Sequence, residues 1–118
     1  MIPAGMQVFV AVEPVDMRYG FERLSGLARE VIGLDARCQA LFVFFGRRRE
    51  ALKILFFDGT GMCVFYKRLD RGTFKLPDSI AEGAKSGEIS DERLEALLDG
   101  IDIEDATKPK RPRPRRVH

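Results

Sequence analysis

Three consecutive arginines, Arg47, Arg48 and Arg49, stand between two apolar runs, residues 40–45 and 51–57. Guanidinium groups at the tip of a short turn are suited to gripping phosphates, because each presents a planar fork of donors that matches two phosphate oxygens. A passive turn carrying charge for solubility would also be basic, but here no acid balances the triplet before Glu50. Further along lie Lys67, Arg68, Arg71 and Lys75. If the apolar runs pair as antiparallel strands, Lys67 and Arg68 come beside the arginine turn, and Lys53 lies in the strand between. The alternative for this second group is protection of an edge strand, where lysine and arginine discourage pairing with another chain.

A third basic run closes the chain. Lys108, Lys110, Arg111, Arg113, Arg115 and Arg116 fall within residues 107–118 with no acid among them. Interleaved with prolines, they predict an extended, disordered arm that adds salt-sensitive affinity for a polyanion. The modest net charge of +2 hides this segregation. Residues 42–75 carry eight basic and three acidic side chains, a net of +5, whereas residues 78–105 carry two and ten, a net of −8. Blocks of opposite sign point to charged partners more directly than the overall balance does.

Other chemistries find little support. Cys38 and Cys63 stand alone, and the single histidine is His118, so a zinc site of about four ligands cannot be assembled. No metal or other cofactor is expected, and the thiols read as buried and free. Asp16, Asp58 and Asp70 are the acids that a metal-dependent nuclease would use. Each has a simpler reading, as a helix cap, a turn former in the string DGTG, and a strand-end charge among bases. No nucleophile–base pair and no phosphate-binding glycine loop with its lysine is present. Tyr66 lacks the arginine and histidine set that a recombinase nucleophile needs. The aromatic density of Phe42, Phe44, Phe45, Phe56, Phe57, Phe65 and Tyr66 fits core packing better than base stacking. No run reaches the roughly 18 apolar residues of a membrane span, and acids and Arg18 interrupt the opening apolar stretch where a signal peptide would lie. The expected setting is a reducing cytoplasm.

The elements that must position these groups can be read from periodicity. Residues 7–12 predict an opening strand. Met17, Phe21, Leu24, Leu27, Ala28, Val31 and Ile32 recur at helical spacing, with Asp16 as the expected N-cap and Gly33 as the C-cap. Residues 40–45, 51–57 and 62–69 predict three strands joined by short turns at 46–50 and 58–61. Both faces of the second are apolar, so both need cover. The helix supplies one cover; the C-terminal segment, a second subunit or a ligand supplies the other, which raises a possible homo-oligomer. Residues 72–77 read as a further extended piece, and residues 78–89 as a loop or weak helix. Ser90 predicts an N-cap for a short helix with Leu94, Leu97, Leu98 and Ile101 on one face. The expectation is one α+β domain over residues 1–106: a small antiparallel β-meander packed against an N-terminal helix, with a short C-terminal helix, and then the disordered basic tail at 107–118.

Four strings carry a resemblance: VDMRYGFERLSGLA at 15–28, LFVFFGRRREALKIL at 41–55, DGTGMCVFYKRLDRGTF at 58–74 and LEALLDGID at 94–102. In this order and spacing they resemble the TnpB accessory proteins of the insertion sequence 66 family of bacterial mobile elements. The resemblance covers about residues 8–102 and departs mainly in the tail after Ala106. It implies a small protein required for efficient transposition together with partners from the same element, a separate larger protein supplying the transposase chemistry. The RNA-guided nuclease that shares the TnpB name is a different and much longer protein. The resemblance implies the process; the basic residues imply the activity. The resulting expectation is a non-enzymatic DNA-binding factor whose partners are the element ends and the transposase. Its contacts would come from Arg47, Arg48, Arg49, Lys53, Lys67, Arg68, Arg71 and the tail residues Lys110, Arg111, Arg113, Arg115 and Arg116. The alternative is a module that docks on the transposase through the acidic segment 78–105 without touching DNA.

Overall fold

The structure, a computed structural model, describes residues 5–78 and 80–100. Five strands form one mixed sheet in the order β4-β3-β2-β1-β5. They are β1 (Gln7–Ala11), β2 (Ala40–Phe45), β3 (Ala51–Phe57), β4 (Met62–Arg68) and β5 (Ser86–Ile89). The helices are α1 (Phe21–Leu27), which runs into a π-helical turn at Ala28–Ile32, and α2 (Asp91–Leu98).

Strands β2, β3 and β4 form the antiparallel meander that their alternation predicts, with Phe42 opposite Leu55 and Leu55 opposite Val64. Strand β1 enters the sheet parallel to β2, Gln7 opposite Ala40. A parallel pair cannot be joined by a tight turn, so the chain crosses over through α1 before returning as β2. Strand β5 then pairs antiparallel with the other side of β1, Val8 opposite Ile89. Residues 86–89 are thus a strand, not the loop or weak helix expected from their small and polar residues. The β1 ladder determines this: the Val12 N–H donates to the Lys85 carbonyl at 2.9 Å, carrying the pairing past the strand end.

The helix begins later than expected. Asp16 caps nothing in α1; its carboxylate accepts the Arg18 backbone N–H at 2.8 Å and pairs with the Arg18 guanidinium at 2.7 Å. Such a local side-chain bond competes with helix formation, and Gly20, in extended conformation, becomes the N-cap. Gly33 ends the helical run as anticipated, with φ 88° and its N–H on the Ala28 carbonyl at 2.8 Å.

Each face of the sheet has its own core. On one, Leu24 and Ala28 pack against Ala40, Phe42, Phe44 and Leu55. On the other, Leu94 and Leu97 of α2, with Phe74, cover Val10, Leu41, Val43, Phe45, Leu52 and Ile54. All six residues of β2 are buried. The second cover is therefore the chain's own C-terminal segment, so the two-sided strand β3 requires no second subunit. Residues 73–77 run unpaired as a strand but carry Phe74 into the core, and its N–H donates to the Arg49 carbonyl at 2.7 Å. Cys38 and Cys63 are free thiols, half-buried where full burial was expected. The basic tail lies outside the described residues.

Candidate nucleic-acid interface

The β2–β3 turn is built to hold its shape. The Gly46 N–H donates to Ala51 O at 2.9 Å, and the Arg49 N–H donates to Gly46 O at 3.0 Å. Gly46 is buried, and a Cβ added there would lie 2.9 Å from Met17 Cγ. Arg49 sits at φ 56°, a left-handed conformation uncommon for a side-chain-bearing residue. Two further backbone bonds clamp the turn to the segment after β4: Leu69 N–H to Glu50 O at 2.8 Å, and Phe74 N–H to Arg49 O.

This clamp creates a concavity of about 460 Å³ lined by Arg47, Arg48, Arg49, Thr73 and Lys75, with Pro14 on its rim. Arg47, Arg48 and Lys75 are exposed and Arg49 is half-buried. No carboxylate lines it. A second concavity of about 540 Å³ shares Pro14 and Arg47 and is lined by Glu13, Asp16, Met17 and Tyr19. The two are linked electrostatically. Asp16 is lowered to about 2, chiefly by its hydrogen bonds to the Arg18 side chain and N–H, with a smaller contribution from the Arg47 charge.

The remaining predicted contacts divide. The register sets Arg68 opposite Ala51 and Lys67 opposite Leu52, so both do lie beside the arginine turn. They point to opposite faces, however, as neighbours on a strand must. Arg68 pairs with Glu50 at 3.1 Å, both partly exposed, a contact of little energetic weight. Lys67 donates to the Leu98 carbonyl at 2.7 Å, satisfying the C-terminal end of α2. Lys53 donates to the Tyr19 carbonyl at 2.9 Å and lies 5.7 Å from the centre of the Tyr66 ring. The ammonium groups of Lys53 and Lys67 thus serve the fold. Arg71 is exposed. Lys110, Arg111, Arg113, Arg115 and Arg116 lie outside the described residues. Thr73 and Pro14 were not anticipated at the site, since nothing local in the sequence announces that residues 14 and 73 meet the turn. The bond from the Val15 N–H to Phe45 O at 2.8 Å brings the first, and Phe74 brings the second.

The acids do not converge. Asp58 accepts the N–H groups of Thr60 and Gly61, both at 2.9 Å, and the Thr60 hydroxyl at 3.0 Å. These bonds, led by the Thr60 N–H, hold its carboxyl down at about 2. It caps the β3–β4 turn, a strand length of roughly 20 Å from the arginine turn. Among the described residues no three histidine, cysteine or acidic side chains are placed to share a metal ion.

Comparison with known proteins supplies the lineage. The family model described as IS66 Orf2 like protein matches residues 6–108. The chain belongs to the IS66 Orf2-like family. That family is associated with transposition of IS66 insertion sequences. Among curated relatives of this IS66 Orf2-like chain is the uncharacterized protein y4hO of Sinorhizobium fredii, 44% identical over 104 residues, covering 86% of this chain and 88% of the relative. The uncharacterized protein y4jC of the same organism is 34% identical over 98 residues, covering 83% and 81%. No solved structure matches. Among the described residues no helix is long and apolar enough to cross a membrane.

Proposed function

We propose that this IS66 Orf2-like chain serves transposition as a non-enzymatic accessory factor that binds DNA, at the element ends, through the concavity at the β2–β3 turn. The observation that carries this reading is the convergence of Arg47, Arg48, Arg49 and Lys75 on one concavity whose lining holds no carboxylate. Three arginines on a rigid turn, with Lys75 on the segment clamped to it, match a phosphate backbone, and guanidinium forks grip phosphate oxygens in pairs. Thr73 adds a hydroxyl donor. Arg68 and Arg71 extend the positive surface, and the tail cations Lys110, Arg111, Arg113, Arg115 and Arg116 add affinity independent of sequence. Lys53 and Lys67 support the interface by fixing the segment before α1 and the end of α2 to the sheet.

The test is titration of the purified protein against labelled element-end DNA and a scrambled duplex of equal length at two salt concentrations. Steep weakening with salt is the expected result, and a preference for the element end adds specific recognition. Absence of binding to either duplex at low salt removes the reading.

A second reading has its own observation. Helix α2 exposes Asp91, Glu92 and Glu95, with Asp99 just beyond its end. This acidic surface lies on the α2 side of the sheet and suits a basic patch on the element's transposase. Reversing the charge of Asp91, Glu92 and Glu95 abolishes co-purification with the transposase if docking occurs here, and leaves it intact if contact runs only through DNA.

A further inference from the structure

Of the aromatic residues that the sequence assigns to core packing, Phe42, Phe44, Phe45 and Phe56 are buried and Phe57 and Phe65 half-buried, but Tyr66 is 49% exposed. Phe21 is 46% exposed and Val64 38%. These three are the large exposed apolar side chains among the described residues, and they share one side of the sheet. Val64 and Tyr66 project from β4 on the α1 face, opposite Leu55 and Lys53, while Phe21 opens α1 on the same face. Lys53 joins them. Its ammonium bonds the Tyr19 carbonyl, two residues before Phe21, and lies against the Tyr66 ring. Arg68 comes two residues after Tyr66 on the same face, about 7 Å along the strand. Its partner Glu50 closes the arginine turn. The strip therefore runs from apolar through aromatic to cationic and ends beside the arginine turn, where Arg68 is paired with Glu50. Strand β4 is also an edge of the sheet, so among the described residues no neighbouring strand flanks the outer side of the strip.

We propose that this strip binds an unpaired DNA strand, with bases against Tyr66 and Phe21 and the backbone phosphates on Arg68, Arg47 and Arg48. The proposal rests on the DNA-binding reading above and names the form of DNA. Duplex DNA presents phosphates and groove edges but hides the faces of its bases in the stack. An exposed ring beside a cationic rim gains nothing from a duplex and gains a stacking partner from each unpaired base. The Lys53 ammonium, 5.7 Å from the centre of the Tyr66 ring, makes a weak cation–π contact that favours this placement of the ring before binding. The cations Lys53, Arg68, Arg47 and Arg48 bordering the strip favour an anionic occupant over a neutral apolar one.

Fluorescence anisotropy separates the possibilities, using a labelled oligo-dT strand and a mixed-sequence duplex of the same length. Tyr66→Ala and Phe21→Ala should each weaken oligo-dT binding roughly tenfold or more and leave duplex binding unchanged. Tyr66→Phe should keep oligo-dT binding, because the ring is retained. Replacing Arg47, Arg48 and Arg49 with alanine should weaken both ligands. Both aromatic sites are exposed, so unchanged far-UV circular dichroism is expected and guards against misfolding. Duplex binding with oligo-dT affinity insensitive to Tyr66→Ala and Phe21→Ala overturns the proposal while sparing the DNA-binding reading. Loss of binding to both ligands in the unaltered protein overturns the two together. Light scattering that shows a dimer dissociated by Tyr66→Ala, with oligo-dT affinity unchanged, reassigns the strip to self-association.

Discussion

Replacing Arg47, Arg48 and Arg49 together with alanine tests the central claim, because its magnitude can be worked out by counting charges. Four cations line the concavity, the three arginines and Lys75. A bound cation releases condensed counterions, so each phosphate contact contributes about −0.9 to the slope of log affinity against log salt. The concavity alone then supplies a slope of about −3.6, and the triple variant retains about −0.9 of it. Between about 50 and 200 mM salt, loss of three contacts makes the variant's affinity fall roughly 40-fold less than that of the parent. The bonds that shape the turn, from the N–H of Gly46 to Ala51 O and from the N–H of Arg49 to Gly46 O, are backbone bonds that alanine preserves. The fold should therefore survive, as near-identical denaturation curves will show. The assay is a DNA titration at several salt concentrations, fitted for slope. A slope unchanged within error refutes the argument even if absolute affinity drops, because the arginines would then be contributing something other than phosphate contacts.

Other consequences concern the scaffold. Phe74→Ala empties a core position and breaks the lining of the concavity; a loss of about 3–5 kcal/mol in urea denaturation is expected, and a loss under 1 kcal/mol would mean that residues 73–77 are not packed as described. Gly87→Ala places a Cβ 2.8 Å from Ile80 Cγ1, a stiff β-branched neighbour, and should destabilise by about 1–3 kcal/mol, whereas the same change at Gly26, where nothing lies within 4 Å, should be neutral or stabilising. Lys67→Gln removes the bond to the α2 terminus; the denaturation midpoint should fall while the salt slope of DNA binding changes little, and the reverse pattern would restore Lys67 to the DNA contacts. Asp58 has a carboxyl held down at about 2, so the stability it supplies is present above its unfolded value near 4 and is lost as pH falls toward 2. An NMR titration of Asp58 with a midpoint near 4 would contradict the three hydrogen bonds drawn to it.

The parts of this fold that are legible in the sequence are those determined by short range. Residues 40–57 alternate and break at Gly46, and the structure places β2 and β3 at those boundaries. Ser90 caps α2 by accepting the Arg93 N–H at 3.2 Å, as its position before Asp91 and Glu92 implies. What is not legible depends on remote partners. Residues 7–12 announce a strand, but nothing in them says that it will lie parallel to β2. Residues 86–89, SGEI, contain a single large apolar side chain and become a strand only because β1 offers an unpaired edge. The site divides the same way. The arginine turn is visible because its residues are adjacent. The diversion of Lys53 and Lys67 to carbonyls 34 and 31 residues away is invisible until the chain is folded.

The bond from Lys67 to the Leu98 carbonyl has a further consequence. It pins the end of α2 to β4, and Gly100 comes directly after, 3.8 Å from the Leu69 side chain if it carried a Cβ. Leu69 in turn donates to Glu50 at the arginine turn. Gly100 is thereby tied to the segment that clamps the arginine turn, and seven residues of chain, at most about 25 Å when fully extended, separate it from Thr107. If the turn holds a DNA molecule as proposed, a tether this short gives the six tail cations a high effective concentration at that same molecule. On the proposed DNA-binding reading, rim and tail would bind as one bivalent ligand. Severing them, as separate polypeptides, should weaken binding far more than the affinities of the two pieces would suggest.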